Sequence, residues 1–356
     1  MASQEPPAQQ APRLAHRVLR SVELNLAGQL ASMAVALWLT PVVLRGLGTE
    51  GYALYTLIGT GLGYLLLLTF GAPVATVRFT AFHHGRAEPA RLAEVIRLSL
   101  LVHLIAAAAG AALLFLFRGP LLSWFGGGGA VESAPKVLLL TACAAPFYAS
   151  FQCSLNALFG LQRFAAYNLM KTAEAALPLA AAALTLASGR GLAAVAASYA
   201  AVQVALAAAG LWLLAPALAV DGRLPPKAER RDFLHFAGKS FPLQLFWLVM
   251  YAGDRLLVGG LLSLSDLGFY AVSASIARKF NVFCSVVADS VMPMMAELKG
   301  RGEGERLRNL YLKATELSLF VVFPVLILSF VLVPQFLTLW LGGDFGLRGT
   351  WPFRLL

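Results

Sequence analysis

The sequence predicts an all-α polytopic membrane protein with about nine transmembrane helices. First, 59% of the 356 residues are hydrophobic and only 13% are charged, about half of the ~25% charged share of a soluble domain. Second, apolar runs recur along nearly the whole chain at roughly the 20-residue length that crosses a ~30 Å hydrocarbon layer. Third, an internal repeat groups the helices into one complete six-helix lobe and half of a second lobe, related by a pseudo-twofold axis.

The elements follow from the apolar windows in chain order. Residues 1–23 form a polar tail, and six spans over 24–220 make the first lobe. A charged linker follows over 221–238, whose Pro225-Pro226 pair cannot continue a helix. Residues 239–356 make a partial second lobe with three spans. The nine predicted spans are 24–44, 52–76, 95–117, 136–158, 168–188, 192–215, 239–261, 267–296 and 310–335.

The positive charges are unevenly distributed between the two sides of these spans. With a cytoplasmic N-terminus, nineteen Lys and Arg residues lie on the cytoplasmic side and six on the other. This asymmetry is the positive-inside signal, so it predicts a cytoplasmic N-terminus and an odd number of spans. The net charge of +10 therefore reflects topology and contacts with membrane lipids, and nucleic acid is excluded as a partner.

Two pairs of similar segments define the repeat. Residues 113–127, LLFLFRGPLLSWFGG, align with residues 329–343, SFVLVPQFLTLWLGG, at an offset of 216. Residues 49–58 and 266–275 each place an acidic residue just before a Gly-aromatic pair, at nearly the same offset. Such parallel repeats are a transporter architecture with the substrate bound near the membrane midplane. The chain ends after three helices of the second half, so it is expected to be truncated relative to its own symmetry.

No motif in the sequence predicts catalysis or a cofactor. The glycines at 126–129 are not followed by Lys and Ser or Thr, so they do not form a phosphate-binding P-loop. The sequence has no His-Glu-x-x-His and no Cys-x-x-Cys. The cysteines Cys143, Cys153 and Cys284 lie in apolar stretches and are predicted to be packing residues. We expect neither enzymatic activity nor a cofactor.

Five stretches carry a family resemblance. They are LTPVVLRGLGTEGYALYTLIG (39–59), FGAPVATVRFTAFHHGR (70–86), YAGDRLLVGGLLSLSDLGFYAVSASIA (251–277), MPMMAELKGRGE (292–303) and TLWLGGDF (338–345). Together they resemble the lipid-linked oligosaccharide flippases of bacterial polysaccharide biosynthesis, whose superfamily includes the multidrug and toxin extrusion transporters. The resemblance implies two lobes around a central cavity, a location in the bacterial inner membrane and an undecaprenyl-pyrophosphate-linked oligosaccharide as substrate. It also implies polysaccharide polymerase or glycosyltransferase partners.

Two adjacent cations, Arg278 and Lys279, lie near the middle of the predicted span 267–296. A cation at the bilayer centre costs roughly 2.5–3.5 kcal/mol, so it normally faces a wet cavity or a partner. A guanidinium matches phosphate oxygens in a bidentate fork, and we expect Arg278, assisted by Lys279, to contact the substrate pyrophosphate. The alternative is a structural ion pair with Asp289 or Asp254.

Other polar residues fall on single helix faces. Gln244, Tyr251 and Arg255 form an aromatic and polar stripe with Trp247, which suits a sugar or an isoprenoid pyrophosphate but is also typical of a membrane interface. Asn25 and Gln29 share one face, and Gln152 lies on another with Tyr148 and Asn156. These residues either line a cavity or form interhelical hydrogen bonds. Two further expectations concern close helix packing at Gly59, Gly61 and Gly63, and a solvated cytoplasmic loop at His83 and His84.

The favoured function is movement of a lipid-linked oligosaccharide between leaflets by alternating access. A multidrug or cation antiporter of the same superfamily is the first alternative, and its cavity is expected to be lined by carboxylates. The second alternative is an inactive, truncated fragment.

Overall fold

The computed structural model describes residues 7–124, 133–220, 223–278, 291, 295 and 303–356. These residues are almost entirely helical and contain no β-strand, which confirms the predicted all-α class. The helices are α1 (Pro7–Leu65), α2 (Ala72–Gly85), α3 (Pro89–Leu116), α4 (Arg118–Trp124), α5 (Ala134–Gly160), α6 (Phe164–Ala187), α7 (Leu192–Leu218), α8 (Lys227–Leu248), α9 (Asp254–Leu261), α10 (Leu264–Ala277), α11 (Gly304–Leu341), α12 (Gly343–Arg348) and α13 (Thr350–Leu355).

The described helices carry the properties of a membrane protein. Large apolar side chains such as Trp38, Trp212 and Phe320 are 74–78% exposed, as expected where lipid rather than water surrounds the helices. Within the described residues, six segments are long and apolar enough to cross a membrane: Leu30–Thr69, Pro89–Leu116, Ala134–Gly160, Phe164–Ala187, Leu192–Leu218 and Gly304–Leu341. The polytopic class is confirmed, with the predicted spans three to six and nine each matching one of these segments.

The remaining predicted spans are interrupted or only partly described. The first two fall on α1, which is kinked at Gly48 (φ 69°, ψ 176°), and the span 52–76 is broken by a 3-10 turn over Leu66–Thr69. The span 239–261 is helical throughout and consists of the end of α8, a π-helical turn over Val249–Gly253, and α9. The span 267–296 begins in α10, and most of its second half lies outside the described residues.

The chain divides into two compact units, one over residues 35–271 and one over 1–34 with 272–356. We refer to them as the central unit and the terminal unit. In the central unit, α5 packs against both α3 and α7, and the buried side chains of Ile96, Phe151 and Leu214 belong to one core cluster. Gly210 on α7 allows this close packing, because a Cβ there would lie 2.8 Å from the Cβ of Ser154 on α5. The lobe boundaries predicted from the repeat remain a prediction.

A strained turn joins α1 to α2 and is held by α8. Phe70 (φ 46°) and Gly71 (φ 85°) both adopt the left-handed conformation. The Gly71 N–H donates to Oε1 of Gln244 (2.8 Å), and Nε2 of Gln244 donates to the Leu66 carbonyl oxygen (3.0 Å). Both ends of this amide therefore fasten α8 to the turn.

Replacing Gly71 with alanine is expected to destabilise the protein by at least about 2 kcal/mol. The left-handed conformation alone disfavours a Cβ by roughly 1–2 kcal/mol, and this Cβ would also overlap the carbonyl oxygen of Ala237 on α8. Thermal unfolding of the detergent-purified chain measures the effect. Gly63→Ala is the matched control, because a Cβ at Gly63 meets no atom within 4 Å. Equal unfolding midpoints for the two variants would contradict the prediction.

Candidate functional site

A charged pair, Asp254 and Arg255, begins α9 directly after the π-helical turn. π-Helical turns inside helices are frequent at functional sites. The backbone is helical from Lys227 to Leu261, as the sequence predicted for the span 239–261, and the π-helical turn within it comes directly before both charges.

Arg255 is held against α1 by a side-chain hydrogen bond. Its Nη1 donates to Oγ1 of Thr60 at 3.0 Å, and the Thr60 hydroxyl in turn donates to the carbonyl oxygen of Thr56 at 3.1 Å. Tyr52 and Tyr64, also on α1, lie close enough to Arg255 to interact with its charge. The guanidinium is thus positioned by one face of α1, in a partly buried and aromatic environment.

Asp254 links the start of α9 to α10. Its Oδ1 accepts a hydrogen bond from the backbone N–H of Arg255 at 2.8 Å, and its Oδ2 accepts one from the hydroxyl of Tyr270. Asp254 therefore contacts α10 and places a negative charge next to Arg255.

Tyrosine side chains extend from this pair into the interior of the central unit. The ring centroids of Tyr52 and Tyr55 lie 6.1 Å apart, and those of Tyr55 and Tyr199 lie 6.3 Å apart in an edge-to-face arrangement. The hydroxyl of Tyr199 lies 3.3 Å from the position that a Cβ of Gly59 would occupy. Gly59 therefore provides room for close packing against Tyr199 of α7, as the sequence predicted, whereas the close packing predicted at Gly63 is wrong because a Cβ there would meet no atom within 4 Å.

Glu174 lies deep in α6 and was not identified by the sequence analysis. Its Oε1 accepts a hydrogen bond from Nε2 of Gln152 at 2.5 Å, and its Oε2 lies 3.7 Å from Nζ of Lys171. Tyr148 and Tyr199 lie within electrostatic reach of the same carboxylate. Ionisable residues within a membrane span mark functional sites by default. A single acidic residue inside the predicted span 168–188 was the signal available in the sequence.

The structure brings together only part of the predicted substrate-binding set. Arg255, Gln152 and Gln244 all lie in the central unit, with the side-chain amides of Gln152 and Gln244 bonded to Glu174 and to the Leu66–Gly71 turn. Arg278 lies in the terminal unit, where its Nε donates to the Ala274 carbonyl oxygen at 3.2 Å. The other four predicted residues are not fully described. The structure does not describe the side chains of Asn25, Gln29 and Tyr251, and Lys279 lies wholly outside the described residues.

Comparison with known proteins gives a family match and a fold match. The family model described as "Polysaccharide biosynthesis protein" matches residues 18–299. A protein of Shigella flexneri named "Putative O-antigen transporter" is 22% identical over 340 residues, which cover 92% of this chain and 78% of that protein.

Two solved structures share the fold at low sequence identity. One is an inward-facing multidrug resistance MATE family transporter of the MOP superfamily, with a TM-score of 0.73 and 16% identity over 94% of this chain and 79% of that one. The other is a MOP superfamily transporter from Pyrococcus furiosus, with a TM-score of 0.65 and 16% identity over 94% of this chain and 76% of that one.

Proposed function

This chain belongs to the polysaccharide biosynthesis protein family, and we propose that it moves an undecaprenyl-pyrophosphate-linked oligosaccharide across the bacterial inner membrane. The observation that carries the proposal is Arg255, a partly buried cation that follows a π-helical turn and donates a hydrogen bond to Thr60. A pyrophosphate is the anionic part of such a substrate. A guanidinium binds phosphate oxygens with two parallel hydrogen bonds, more strongly than a neutral donor does.

The same assignment explains why this region is both polar and aromatic. Moving a sugar headgroup through the membrane requires polar groups that replace its hydration, and aromatic side chains present faces to sugars and apolar chains. Tyr52 and Tyr64 of α1 lie near the cation, and Tyr55 packs against Tyr52. Alternating access then exposes this surface to each side in turn.

The remaining residues of the predicted substrate-binding set are also proposed as substrate contacts, each within the unit to which it belongs. Gln152 and Gln244 position polar groups in the central unit through their bonds to Glu174 and to the Leu66–Gly71 turn. In the terminal unit we propose Arg278 and Lys279 as further cationic contacts for the headgroup. Tyr251, Asn25 and Gln29 complete the proposed set, and a polysaccharide polymerase or glycosyltransferase is the proposed partner in the cell.

Transport in proteoliposomes tests this function. The purified chain is expected to move a lipid-linked oligosaccharide between leaflets at a rate at least about tenfold above protein-free liposomes, measured by the accessibility of the sugar to an external glycosidase. Efflux of a cationic dye from the same vesicles tests the antiporter alternative. Dye efflux without oligosaccharide movement would overturn the proposal.

A further inference from the structure

Side chains from α2, α3 and α8 line a cavity of about 680 Å³ in the central unit. It lies where α2 ends, α3 begins and the first turns of α8 pack against them. By the charge asymmetry of the sequence, this is the cytoplasmic end of the helices. The cavity is within the ~300–1,000 Å³ range of small-molecule sites.

Two of the carboxylates that line this cavity, Glu88 and Glu229, are already engaged by His83 and by arginines of the same cavity. The ring of His83 lies between Glu88, with Nδ1 2.8 Å from Oε2, and Glu229, with Nε2 2.6 Å from Oε1. Arg91 Nη1 lies 3.6 Å from the second oxygen of Glu229. The predicted solvated loop at His83 is therefore wrong, because α2 continues to Gly85 and buries this side chain at 7% exposure.

Two other cations on the wall have no carboxylate partner. The guanidinium of Arg78 lies over the ring of Phe236 on α8, 4.1 Å from its centroid. Lys239 follows Phe236 by three positions and so shares its helix face. Both cations line the cavity and are solvent-exposed, and within the described part of the chain neither forms an ion pair. Asp232, the third carboxylate of the cavity, is likewise unpaired among the described residues.

Apolar rings lie directly beside these two charges. Phe79 and Phe82 line the cavity together with Phe236, and the centroids of Phe79 and Phe236 lie 6.3 Å apart. A soluble phosphate would use the cations alone, whereas a lipid-borne phosphate would use the rings as well, for the first part of its hydrocarbon chain. The arrangement therefore selects a ligand with an anionic head and an apolar chain.

We propose that this cavity binds the diphosphate of a prenyl-linked substrate through Arg78 and Lys239, as a loading site at the membrane surface. The inference rests on the proposed function for the identity of the substrate. The cavity is separate from the region around Arg255, since none of its lining residues contributes there. A loading site raises the local concentration of substrate before the transporter changes conformation.

Binding of farnesyl diphosphate, a short prenyl diphosphate, to the detergent-purified full chain tests this site. The double variant Arg78→Gln/Lys239→Gln is expected to raise Kd at least about tenfold, because each charge-assisted bond is worth more than a neutral one. The matched control is Lys227→Gln/Arg231→Gln, which removes two exposed cations from the same helix outside the cavity lining and should change Kd less than about twofold. Asp232→Asn should lower Kd about threefold, because it removes an unpaired negative charge.

The competitors identify the source of the phosphate. Inorganic pyrophosphate or phosphatidylglycerol vesicles that compete as well as farnesyl diphosphate would overturn the assignment to a prenyl diphosphate, and so would an unchanged Kd in the double variant. A double variant that loses binding while the control retains it supports the site even where the unmodified chain moves no oligosaccharide, and that failure then counts against the proposed function alone. Intact transport by a double variant with unaltered binding overturns the loading site and leaves the function standing.

Discussion

Replacing Arg255 with glutamine is expected to lower oligosaccharide transport at least about tenfold while the chain remains folded. The guanidinium is the central unit's proposed contact for the pyrophosphate, and its Nη1 is fixed on the Thr60 hydroxyl at 3.0 Å. Glutamine is a shorter, neutral hydrogen-bond donor, so it removes the positive charge and the fork of donors. The loss should therefore fall mainly on the transport rate, which the proteoliposome assay measures, rather than on stability.

Three further variants separate a substrate role from a structural one. Arg255→Lys keeps the charge without the fork and should retain intermediate activity. Thr60→Ala removes the positioning bond but leaves the cation, so it should reduce transport less than Arg255→Gln does. Arg190→Gln, an exposed cation in the connection between α6 and α7, is the matched control. Equal decreases of the unfolding midpoint in Thr60→Ala and Arg255→Gln, together with equal decreases of the transport rate, would show that Arg255 has only a structural role.

Helices with uninterrupted apolar runs were predictable because their signal is local. The predicted spans 95–117 and 136–158 correspond to Pro89–Leu116 and Ala134–Gly160, since length and hydropathy alone determine whether a segment can cross lipid. The first of these helices begins six residues before the predicted span, over residues 89–94, because Arg91 and Glu94 lower the hydropathy of a segment that is still helical.

The helix breaks were not predictable, because they depend on contacts distant in sequence. The turn at Phe70–Gly71 is stabilised by Gln244, 173 residues later, and the local sequence around it is apolar enough to have been assigned to one span. The same limit applies to His83. Its side chain contacts Glu229, which lies in the predicted linker 221–238, so a pattern of neighbouring residues indicates only a loop.

The candidate site shows the limit most clearly at Gln152. The sequence placed this residue on a polar face with two interpretations, cavity lining or interhelical hydrogen bonding. In the structure its Nε2 donates to Glu174 of α6, which the helix periodicity of α5 does not reveal. Periodicity specifies which residues share a face, whereas the partner helix determines what that face contacts.

Replacing Glu174 with glutamine is also expected to have a large effect, on gradient-driven transport. The substitution keeps the shape of the side chain and an oxygen that accepts from Gln152, so the packing between α5 and α6 should persist. It removes a negative charge near Lys171, Tyr148 and Tyr199. The sequence analysis found no phosphate-binding P-loop, and we expect the energy for transport to come from an ion gradient or the membrane potential. A carboxylate inside the membrane is the group type that takes part in such coupling.

The expected result is loss of gradient-driven transport by at least about tenfold, with substrate exchange at equal ionic composition largely retained. Vesicles with an imposed proton or sodium gradient, compared with vesicles without one, measure the difference. Glu303→Gln is the matched control, since it removes a carboxylate that is paired with Arg306 at 2.7 Å just before α11. Gln152→Leu should instead lower stability by about 1–3 kcal/mol, because it leaves the Glu174 carboxylate without its amide donor. A Glu174→Gln variant with full gradient response would exclude this carboxylate from coupling, and the bond to Gln152 would then be purely structural.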